Sequence, residues 1–263
     1  MVTVKDIACA IERVAPLRWQ EDYDNAGLQV GNPEAAVTGI LLCTDITEAI
    51  VAEAVERKMN LVVAHHPLIF HALKRLTGRD HVERAVAAAI KHDINLYCAH
   101  TNMDNAPGGV SWHMAEKLGL TDVEVLDGHD DALGGHVGCG VVGNMAPTAG
   151  AELVKRLKLT FEVDAVRCNR YDLNRDITRV ALCGGAGSFL TRQAIAAGAQ
   201  AFVTADMKYH EFMGLDDVIL LADIGHYESE HFTTEIFREI IAQVAPQCPV
   251  QLAQGAVNPV KYI

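Results

Sequence analysis

Apolar positions recur along the chain in two kinds of run. Residues 4–14 carry aliphatic side chains at helical spacing, which predicts an amphipathic helix. Short unbroken aliphatic runs predict buried strands at 39–45, 61–65 and 94–100. Helical patterns accompany them at 80–92, at 110–118 and at 47–58, where Thr47 is the predicted N-cap. Strands that alternate with helices predict parallel pairing, with helices covering the sheet.

A polar, glycine-rich segment at 127–136 interrupts this rhythm and predicts a domain boundary or a long surface loop. Beyond it, aliphatic runs predict strands at 136–145, 161–167, 178–183, 201–205, 218–224 and 249–253. Helical patterns lie at 149–158, 188–197 and 227–244. We therefore predict an α/β fold class: two α/β domains with mainly parallel or mixed sheets covered by helices. The predicted domains are residues 1–126 plus 225–263, and residues 127–224.

Charge and cysteine content narrow the classes of partner. The chain has 34 acidic and 22 basic residues, a formal net charge of −12, which argues against broad nucleic-acid binding. Its seven cysteines are scattered without a CxxC spacing, which argues against a disulfide framework and suits the reducing cytoplasm. No apolar run approaches the ~20 residues of a membrane span, and the N-terminal segment lacks the pattern of a signal peptide. We expect a cytoplasmic protein without a membrane partner.

Two adjacent histidines, His65 and His66, end the apolar run 61–65 and precede Pro67. Neighbouring strand residues point to opposite faces, so one buried and one exposed structural histidine is the alternative interpretation. Where the strand ends, however, a bend can turn both rings into one cleft, and histidine is the commonest metal ligand. The dipeptide therefore indicates a metal site.

A second candidate pair, His226 and Glu230, is spaced four residues apart. On a helix that begins near residue 226 the two side chains share one face, and a carboxylate can bridge two ions. The alternative to a metal site is that both residues lie in the solvent-exposed first turn of a helix, where acidic side chains are favourable. Asp104 lies in the loop after the strand 94–100, where turn hydrogen bonds to the backbone are its alternative role. Nearby His100 either ligates a metal or orients a ligand by hydrogen bond.

These residues supply nitrogen and oxygen donors without thiolate, a set that suits zinc, iron, manganese, cobalt or nickel. Two such ions ~3.5–4 Å apart can bridge a hydroxide and bring its pKa toward neutrality, which supplies a nucleophile for hydrolysis. We therefore expect two divalent metal ions per chain. The expected ligands are His65, His66, Asp104, His226 and Glu230.

Other polar groups follow predicted strands. Asp206 and His210 form a second acid–histidine pair spaced by four, in which His210 could shuttle a proton and Lys208 could meet an anion; a capped short helix is the alternative. The glycine-rich turn 183–188 could hold a phosphate on its backbone N–H groups, although such turns are ordinary in α/β folds. Further polar or basic groups at element ends are Asp24, Asn25, Asp45, Lys74 and Arg75.

Several of these segments occur together, in matching order, in one known family. The chain resembles the Nif-three-like dinuclear-metal proteins, which are labelled type 2 homologues of GTP cyclohydrolase I. The similarity begins near residue 20, and its most specific elements are the HHP and GHxxxE patterns. The matching segments are DNAGLQVG, TDIT, HHPLIFHALKRLT, AHTNMDNAPGG, TADMKYHE, DIGHYESE and NPVKYI.

The resemblance implies a Nif-three-like fold of two α/β domains, assembled as a toroidal homohexamer with metal sites facing the inner cavity. It implies the same five ligands, with Glu230 as the bridge and His100 close by. Some members carry an extra domain inserted in mid-chain, for which 263 residues leave no room. The family's loop often has the pattern His-x-Pro-x-Asp, whereas Asn102 replaces the proline here.

For function, the resemblance implies opening of the imidazole ring of GTP, with attack at C8 and release of formate. A nucleotide would then be the substrate, and His100 or His210 would be the catalytic proton shuttle. The alternative is a non-catalytic hexamer that holds or delivers metal, since the chain has no strong guanine-reading or triphosphate-clamping motif. A DNA- or regulator-binding adaptor fits the acidic charge poorly.

Overall fold

The chain forms two compact units in a computed structural model that describes residues 1–132, 135–261 and 263. Unit 1 comprises Met1–Met103 and His231–Val257, and unit 2 comprises Asp104–Glu230 and Asn258–Ile263. Among the described residues no helix combines the length and the apolar character that crossing a membrane requires.

The helices and strands follow each other in an α/β order. Over the described residues the α-helices are α1 (Val4–Val14), α2 (Glu48–Glu56), α3 (His81–Lys91), α4 (Thr101–Asp104), α5 (Val110–Leu118), α6 (Gly150–Thr160), α7 (Thr191–Ala196), α8 (His226–Glu230) and α9 (Thr233–Val244). The strands are β1 (Gly27–Val30), β2 (Ile40–Cys43), β3 (Leu61–Ala64), β4 (Asn95–Cys98), β5 (Thr121–Asp130), β6 (His136–Ala149), β7 (Arg167–Cys168), β8 (Asp176–Ala186), β9 (Ala201–Ala205), β10 (Leu220–Asp223) and β11 (Val250–Leu252).

The sheet of unit 1 has the strand order β1-β4-β3-β2-β11. Pairing is parallel from β4 through β11, while β1 runs antiparallel to β4 at the edge. Every residue of β2, β3 and β4 is buried, because helices cover both faces. One face packs against α2 and α3, and α9 contacts both β2 and α1.

Local capping explains where the helices of unit 1 begin. The Thr3 hydroxyl accepts the N–H of Asp6, and the Asp6 carboxylate accepts the Thr3 N–H in return, which is a capping box. The Thr47 hydroxyl accepts the N–H of Ile50 at 3.3 Å, so the predicted N-cap is confirmed. Asp80 caps α3 in the same way. The helices predicted at 4–14, 47–58 and 80–92 are confirmed within two residues at each end.

The sheet of unit 2 has the strand order β5-β6-β8-β9-β10-β7. Among the strands of unit 2 that the structure describes, β8, β9 and β10 pair in parallel and the others antiparallel, so this sheet is mixed. Helices α5 and α6 contact β6 and β8, and α8 contacts β8 and β9. The core residues Phe202 and Leu221 are fully buried in a cluster with Leu190 and Ala194. The predicted strand 201–205 is confirmed at its exact bounds as β9.

Three predicted elements of the second half of the chain are wrong. Residues 127–130 and 136 of the predicted boundary or loop lie in the paired strands β5 and β6, where exposed edge residues such as Asp127 and His129 can be polar. Residues 133 and 134 lie outside the described residues. In 161–167, Phe161 caps α6 and Val163 is buried, and the only strand here is the two-residue β7. The long helix predicted at 227–244 is broken into α8 and α9.

The structural division also differs from the predicted domain bounds. Residues 104–126 belong to unit 2, because α5 packs against the strands β6 and β8. Residues 225–230 join unit 2 as well, so the chain leaves that unit after Glu230. In the closing NPVKYI segment, Tyr262 lies outside the described residues.

Candidate metal centre

In unit 1, three neighbouring parallel strands end in candidate site residues. His65 and His66 follow β3, His100 comes two residues after β4, and Asp45 comes two residues after β2. The carboxyl ends of adjacent parallel strands meet at one edge of a sheet, where open α/β sheets commonly bind ligands. The antiparallel strand β1 begins beside the end of β4, and Asp24 lies just before it.

The three imidazoles form a close cluster. Ring centroids are 4.9 Å apart for His65 and His66, and 5.4 Å apart for each of these with His100. One ring nitrogen from each of the three lies within 4.8 Å of the others. His65 is fully buried and the other two are half-buried. This spacing lets nitrogen lone pairs of neighbouring rings be directed at a common cation.

Hydrogen bonds on Nδ1 determine which nitrogen of each ring can ligate. Nδ1 of His65 lies 2.9 Å from the carbonyl oxygen of Ala99, which only accepts, so Nδ1 carries the proton. Nδ1 of His66 lies 2.8 Å from the Asp45 carboxylate, and Nδ1 of His100 lies 2.8 Å from the Asp24 carboxylate. In the neutral rings Nε2 therefore bears the lone pair, an arrangement typical of metal-binding histidines.

Hydrogen bonds from neighbouring residues keep the Asp24 carboxylate ionised. Its side chain is fully buried, and burial alone would raise its pKa. Hydrogen bonds from His100 and Thr101 outweigh burial and lower the pKa of Asp24 to about 2. The Thr101 backbone N–H and hydroxyl donate to Oδ2 at 3.0 and 2.5 Å. The His100 ring therefore faces a permanent negative charge through its Nδ1–H group.

Unit 2 repeats this arrangement at the ends of its parallel strands. Asp206 directly follows β9, and His226 follows β10 after Ile224 and Gly225. Nδ1 of His226 lies 2.7 Å from Oδ2 of Asp206, so its Nε2 points away from that carboxylate. The predicted acid–histidine pair of Asp206 with His210 is thus replaced by a pair of Asp206 with His226.

Two carboxylates complete the cluster of unit 2. Nε2 of His226 lies 3.0 Å from Oε2 of Glu230, one turn further along α8. A carboxylate oxygen of Asp104 lies within 4.8 Å of one of Glu230. Glu230 is 3% exposed. The structure thus groups all predicted ligands with a neighbour: His65, His66 and His100 in unit 1, and Asp104, His226 and Glu230 in unit 2.

This donor set fits a divalent cation. With Nδ1 of His226 donating to Asp206, a neutral ring turns its Nε2 lone pair toward the Glu230 oxygen only 3.0 Å away. Two electron-rich atoms at that distance need a proton or a metal ion between them. The nearby Asp104 carboxylate adds further negative charge that a buried site must balance. Burial raises the pKa of the nearby Cys43 and Cys98 thiols, which disfavours their thiolate forms.

Glycines next to α8 make room for Glu230, a contribution that sequence reasoning missed. Gly185 has φ +59°, and a methyl group there would overlap Oε1 of Glu230. Its N–H donates to the Ser229 hydroxyl at 2.9 Å, which in turn donates to the carbonyl of His226. The glycine-rich pattern of 183–188 is the signal in the sequence, although it indicates a phosphate-binding turn equally well.

The turn 183–188 is a poor phosphate site. Three of its N–H groups already donate to hydroxyl oxygens: Gly184 to Ser111, Gly185 to Ser229 and Gly187 to Thr204. These donors are the ones that an anion would need.

His210 lies apart from the ligand cluster of unit 2. It lies in the short 3-10 helix Tyr209–Phe212, as the alternative interpretation of this segment predicted, is exposed, and has its Nδ1 3.5 Å from the sulfur of Met213. Lys208 is also exposed, and its N–H donates to Glu211. The predicted roles of His210 and Lys208 remain predictions.

Comparison with known sequences gives consistent matches along the chain. The profile of the Duf34/NIF3 (NGG1p interacting factor 3) family matches residues 2–259. A protein of Lactococcus lactis subsp. lactis named GTP cyclohydrolase 1 type 2 homolog is 36% identical over 232 residues, covering 87% of this chain and 88% of its own. A Streptococcus pneumoniae protein of the same name is 32% identical over 235 residues, covering 88% and 87%.

Solved structures share the fold. A crystal structure of a Staphylococcus aureus protein superposes with a TM-score of 0.90 at 25% identity, covering 100% of this chain and 99% of that one. A Bacillus cereus protein related to NIF3 superposes with a TM-score of 0.89 at 22% identity, with the same coverage. The predicted fold class, with two helix-covered α/β sheets, is confirmed.

Proposed function

The chain belongs to the Duf34/NIF3 family, and from this premise we propose that it is a metal-dependent hydrolase of the GTP cyclohydrolase 1 type 2 kind. One observation carries the metal dependence. Four histidines, the clustered His65, His66 and His100 of unit 1 and His226 of unit 2, each have Nδ1 bound to an oxygen acceptor, which leaves Nε2 as the donor atom. Curated relatives that bear the GTP cyclohydrolase name supply the reaction class.

We propose that the five predicted ligands would hold two divalent ions, as the resemblance to the Nif-three-like proteins implies. Zinc, iron, manganese, cobalt and nickel all suit nitrogen and oxygen donors. When bound, such ions act as Lewis acids and lower the pKa of a coordinated water toward neutrality. The proposed ligands are His65, His66, Asp104, His226 and Glu230.

His100 is the better-supported proton shuttle. Its Nδ1–H is bound to the ionised Asp24, which fixes the ring and leaves Nε2 as the atom that can exchange a proton. Its side chain is 17% exposed, so Nε2 can exchange a proton with substrate or water. His210 remains the alternative, since it is a solvent-exposed imidazole on the loop after β9.

Metal content and formate release together test the proposal. Protein loaded with zinc or manganese is incubated with GTP and with a panel of phosphoesters, beside the variant His226→Ala. We expect GTP-dependent formate release by the unmodified protein, and loss of both metal and activity in the variant. A matched control is His136→Ala, because His136 also has a carboxylate on Nδ1, that of Asp130 at 3.0 Å, but is exposed.

Full formate release by a metal-free His226→Ala variant would contradict metal-dependent catalysis. Metal binding without turnover of any panel member would support the second candidate function, which is metal handling. The occupied N–H groups of residues 184, 185 and 187 favour that candidate, because they remove an expected phosphate contact. Transfer of bound metal to an apo-acceptor protein would then be the activity to measure.

We further propose, from the resemblance to the Nif-three-like proteins, that the chain assembles as a homohexamer. Native mass spectrometry tests this directly, and a monomeric mass at micromolar concentration would contradict it. The unpaired cysteines suit a reducing compartment, and the cytoplasm is the proposed location.

A further inference from the structure

An exposed aromatic pair lies beside the histidine cluster of unit 1. The rings of Tyr23 and Phe70 are 6.3 Å apart and tilted by 47°. Tyr23 is 65% exposed and Phe70 is 37% exposed. Phe70 meets the ring of His100 edge-on, at 6.3 Å and 74°. We propose that Tyr23 and Phe70 bind the flat aromatic ring of an anionic ligand, and that this ligand is the substrate class of the metal centre.

The two rings are carried by backbone segments that are tied together. The Asn25 side chain donates to the carbonyl of Ile69 at 2.5 Å. The Gln29 side chain donates to the same carbonyl at 3.1 Å and accepts the Ile69 N–H at 2.9 Å. Because neighbours of both aromatic residues are held in this way, little backbone freedom is lost when a ligand binds. Such preorganisation favours binding.

The segment around Tyr23 is also tied to the histidine cluster. The N–H of Glu21 donates to the Thr101 hydroxyl at 2.9 Å, and Asp24 accepts from both Thr101 and His100. A ring that contacts Phe70 would therefore lie close to His100, whose ring Phe70 itself meets at 6.3 Å. This continuity assigns the exposed pair to a small ligand of the same site, and the basic loop that follows Phe70 favours an anion.

The loop that follows Phe70 provides positive charge. Lys74 and Arg75 are exposed there, in a chain whose formal net charge is −12. Across the part of the chain that the structure describes, Lys74 and Arg75 form no salt bridge, whereas Arg79 pairs with Glu83 at 3.1 Å. Uncompensated cations beside an aromatic pair attract a ligand that combines an aromatic ring with negative charge.

Two phosphate esters of equal charge test whether the site prefers an aromatic ring. Phenyl phosphate and cyclohexyl phosphate carry the same charge and differ in whether the ring is flat and aromatic. Titration calorimetry should show about 3- to 10-fold tighter binding of phenyl phosphate, the range expected for one aromatic contact. Tyr23→Ala should abolish this preference, and Tyr23→Phe should retain it. Equal affinities in the unmodified protein, or an unchanged preference in Tyr23→Ala, would overturn the inference.

A second arm tests the charge. The double variant Lys74→Gln with Arg75→Gln should weaken both esters equally, by roughly 3- to 10-fold at low salt, while Lys91→Gln on the exposed end of α3 should not. Undiminished affinity in the double variant would overturn the assignment of an anionic ligand.

The inference rests on the proposed function only in treating the ligand as a substrate. Titrations are therefore run on the protein as purified and after dialysis against a chelator. If the protein prefers phenyl phosphate but has no hydrolytic activity, the proposed binding site is supported and the proposed hydrolase function is contradicted. If the protein hydrolyses a substrate without preferring the aromatic ester, the hydrolase function is supported and the binding site is contradicted.

Discussion

The carboxylate of Asp206 lies 2.7 Å from Nδ1 of His226, and the Asp206 backbone adopts a left-handed conformation, φ 54°, at that position. A non-glycine residue in this region costs of order 1 kcal/mol or more and persists where its surroundings hold it there. Asp206 directly follows β9, and His226 comes three residues after the parallel strand β10. The strained Asp206 therefore lies at the end of β9, where it contacts the candidate ligand His226 that follows the neighbouring strand β10.

Asp206→Asn should weaken metal binding without unfolding the protein. The amide oxygen can still accept the Nδ1–H of His226, but the negative charge that makes Nε2 a stronger donor is lost. Losses of about 10- to 100-fold are typical for such partners. Competition with a chromophoric chelator measures the affinity. Asp130→Asn is the matched control, because Asp130 pairs with the exposed His136; an equal loss in both variants would contradict the assigned role.

Gly185→Ala should reduce metal affinity through Glu230. An added methyl group would overlap Oε1 of Glu230 and approach Cε1 of His226, and Gly185 has φ +59°. Gly198→Ala is an informative comparison, since Gly198 has φ +76° but nothing lies within 4 Å of the place that its methyl group would take. Both variants should lose about 1–2 kcal/mol of unfolding free energy from backbone strain, and Gly185→Ala should lose more because of its overlap with Glu230.

Only Gly185→Ala should also lose metal affinity, as measured by calorimetric titration of apo protein. If Gly198→Ala loses as much, general destabilisation is the cause, and the contact with Glu230 is not.

Asp24→Asn should destabilise the protein more than Asp45→Asn. Each Asp24 oxygen accepts two hydrogen bonds, so an amide nitrogen in either place would face two donors. Leaving buried donors unsatisfied costs about 1–3 kcal/mol. Asp45 is 48% exposed and its bond to His66 is open to water, so its loss should cost less than about 1 kcal/mol. Urea unfolding of both variants measures the difference, and equal costs would contradict this ranking.

Stability should depend on pH through Glu83. Hydrogen bonds from the backbone of Thr77 and Arg79 lower the pKa of Glu83 to about 2, below its ordinary value of 4.5. A carboxyl whose folded pKa is lowered stabilises the fold above its unfolded pKa, and this contribution disappears as the pH falls toward the folded value.

The urea midpoint of Glu83→Gln should therefore lie below that of the unmodified protein at pH 7, and the gap should narrow between about pH 5 and pH 3. Glu34→Gln serves as control, because the Glu34 side chain is 69% exposed and lies 3.7 Å from Lys5. If the difference between the urea midpoints of the two proteins stays constant with pH, Glu83 stabilises the fold through its shape and not through its charge.

Elements whose burial is uniform are predictable from the sequence. The aliphatic runs that form β2, β3, β4, β9 and β10 are fully buried, so their composition alone identifies them. The hairpin of β5 with β6 is not predictable in this way, because β5 is an exposed edge strand where polar residues such as Asp127 and His129 are tolerated.

The candidate ligands are predictable from residue type and spacing, whereas their hydrogen-bond partners are not. Spacing along the chain pairs Asp206 with His210, but the parallel pairing of β9 with β10 brings it to His226 instead. The role of Gly185 depends on a contact with α8, some forty residues later. Local sequence gives periodicity, and such long-range partners follow only from strand order.

The pairing of β2 with β11 has a consequence for biosynthesis. Ile40 pairs with Val250, so the first sheet cannot gain its edge strand until the ribosome has translated all but the last residues of unit 2. Contacts of such high sequence separation form late, since a long loop must close first. The nascent chain thus exposes an incomplete β2 edge during elongation, and slowing translation beyond residue 230 should prolong its dependence on chaperones.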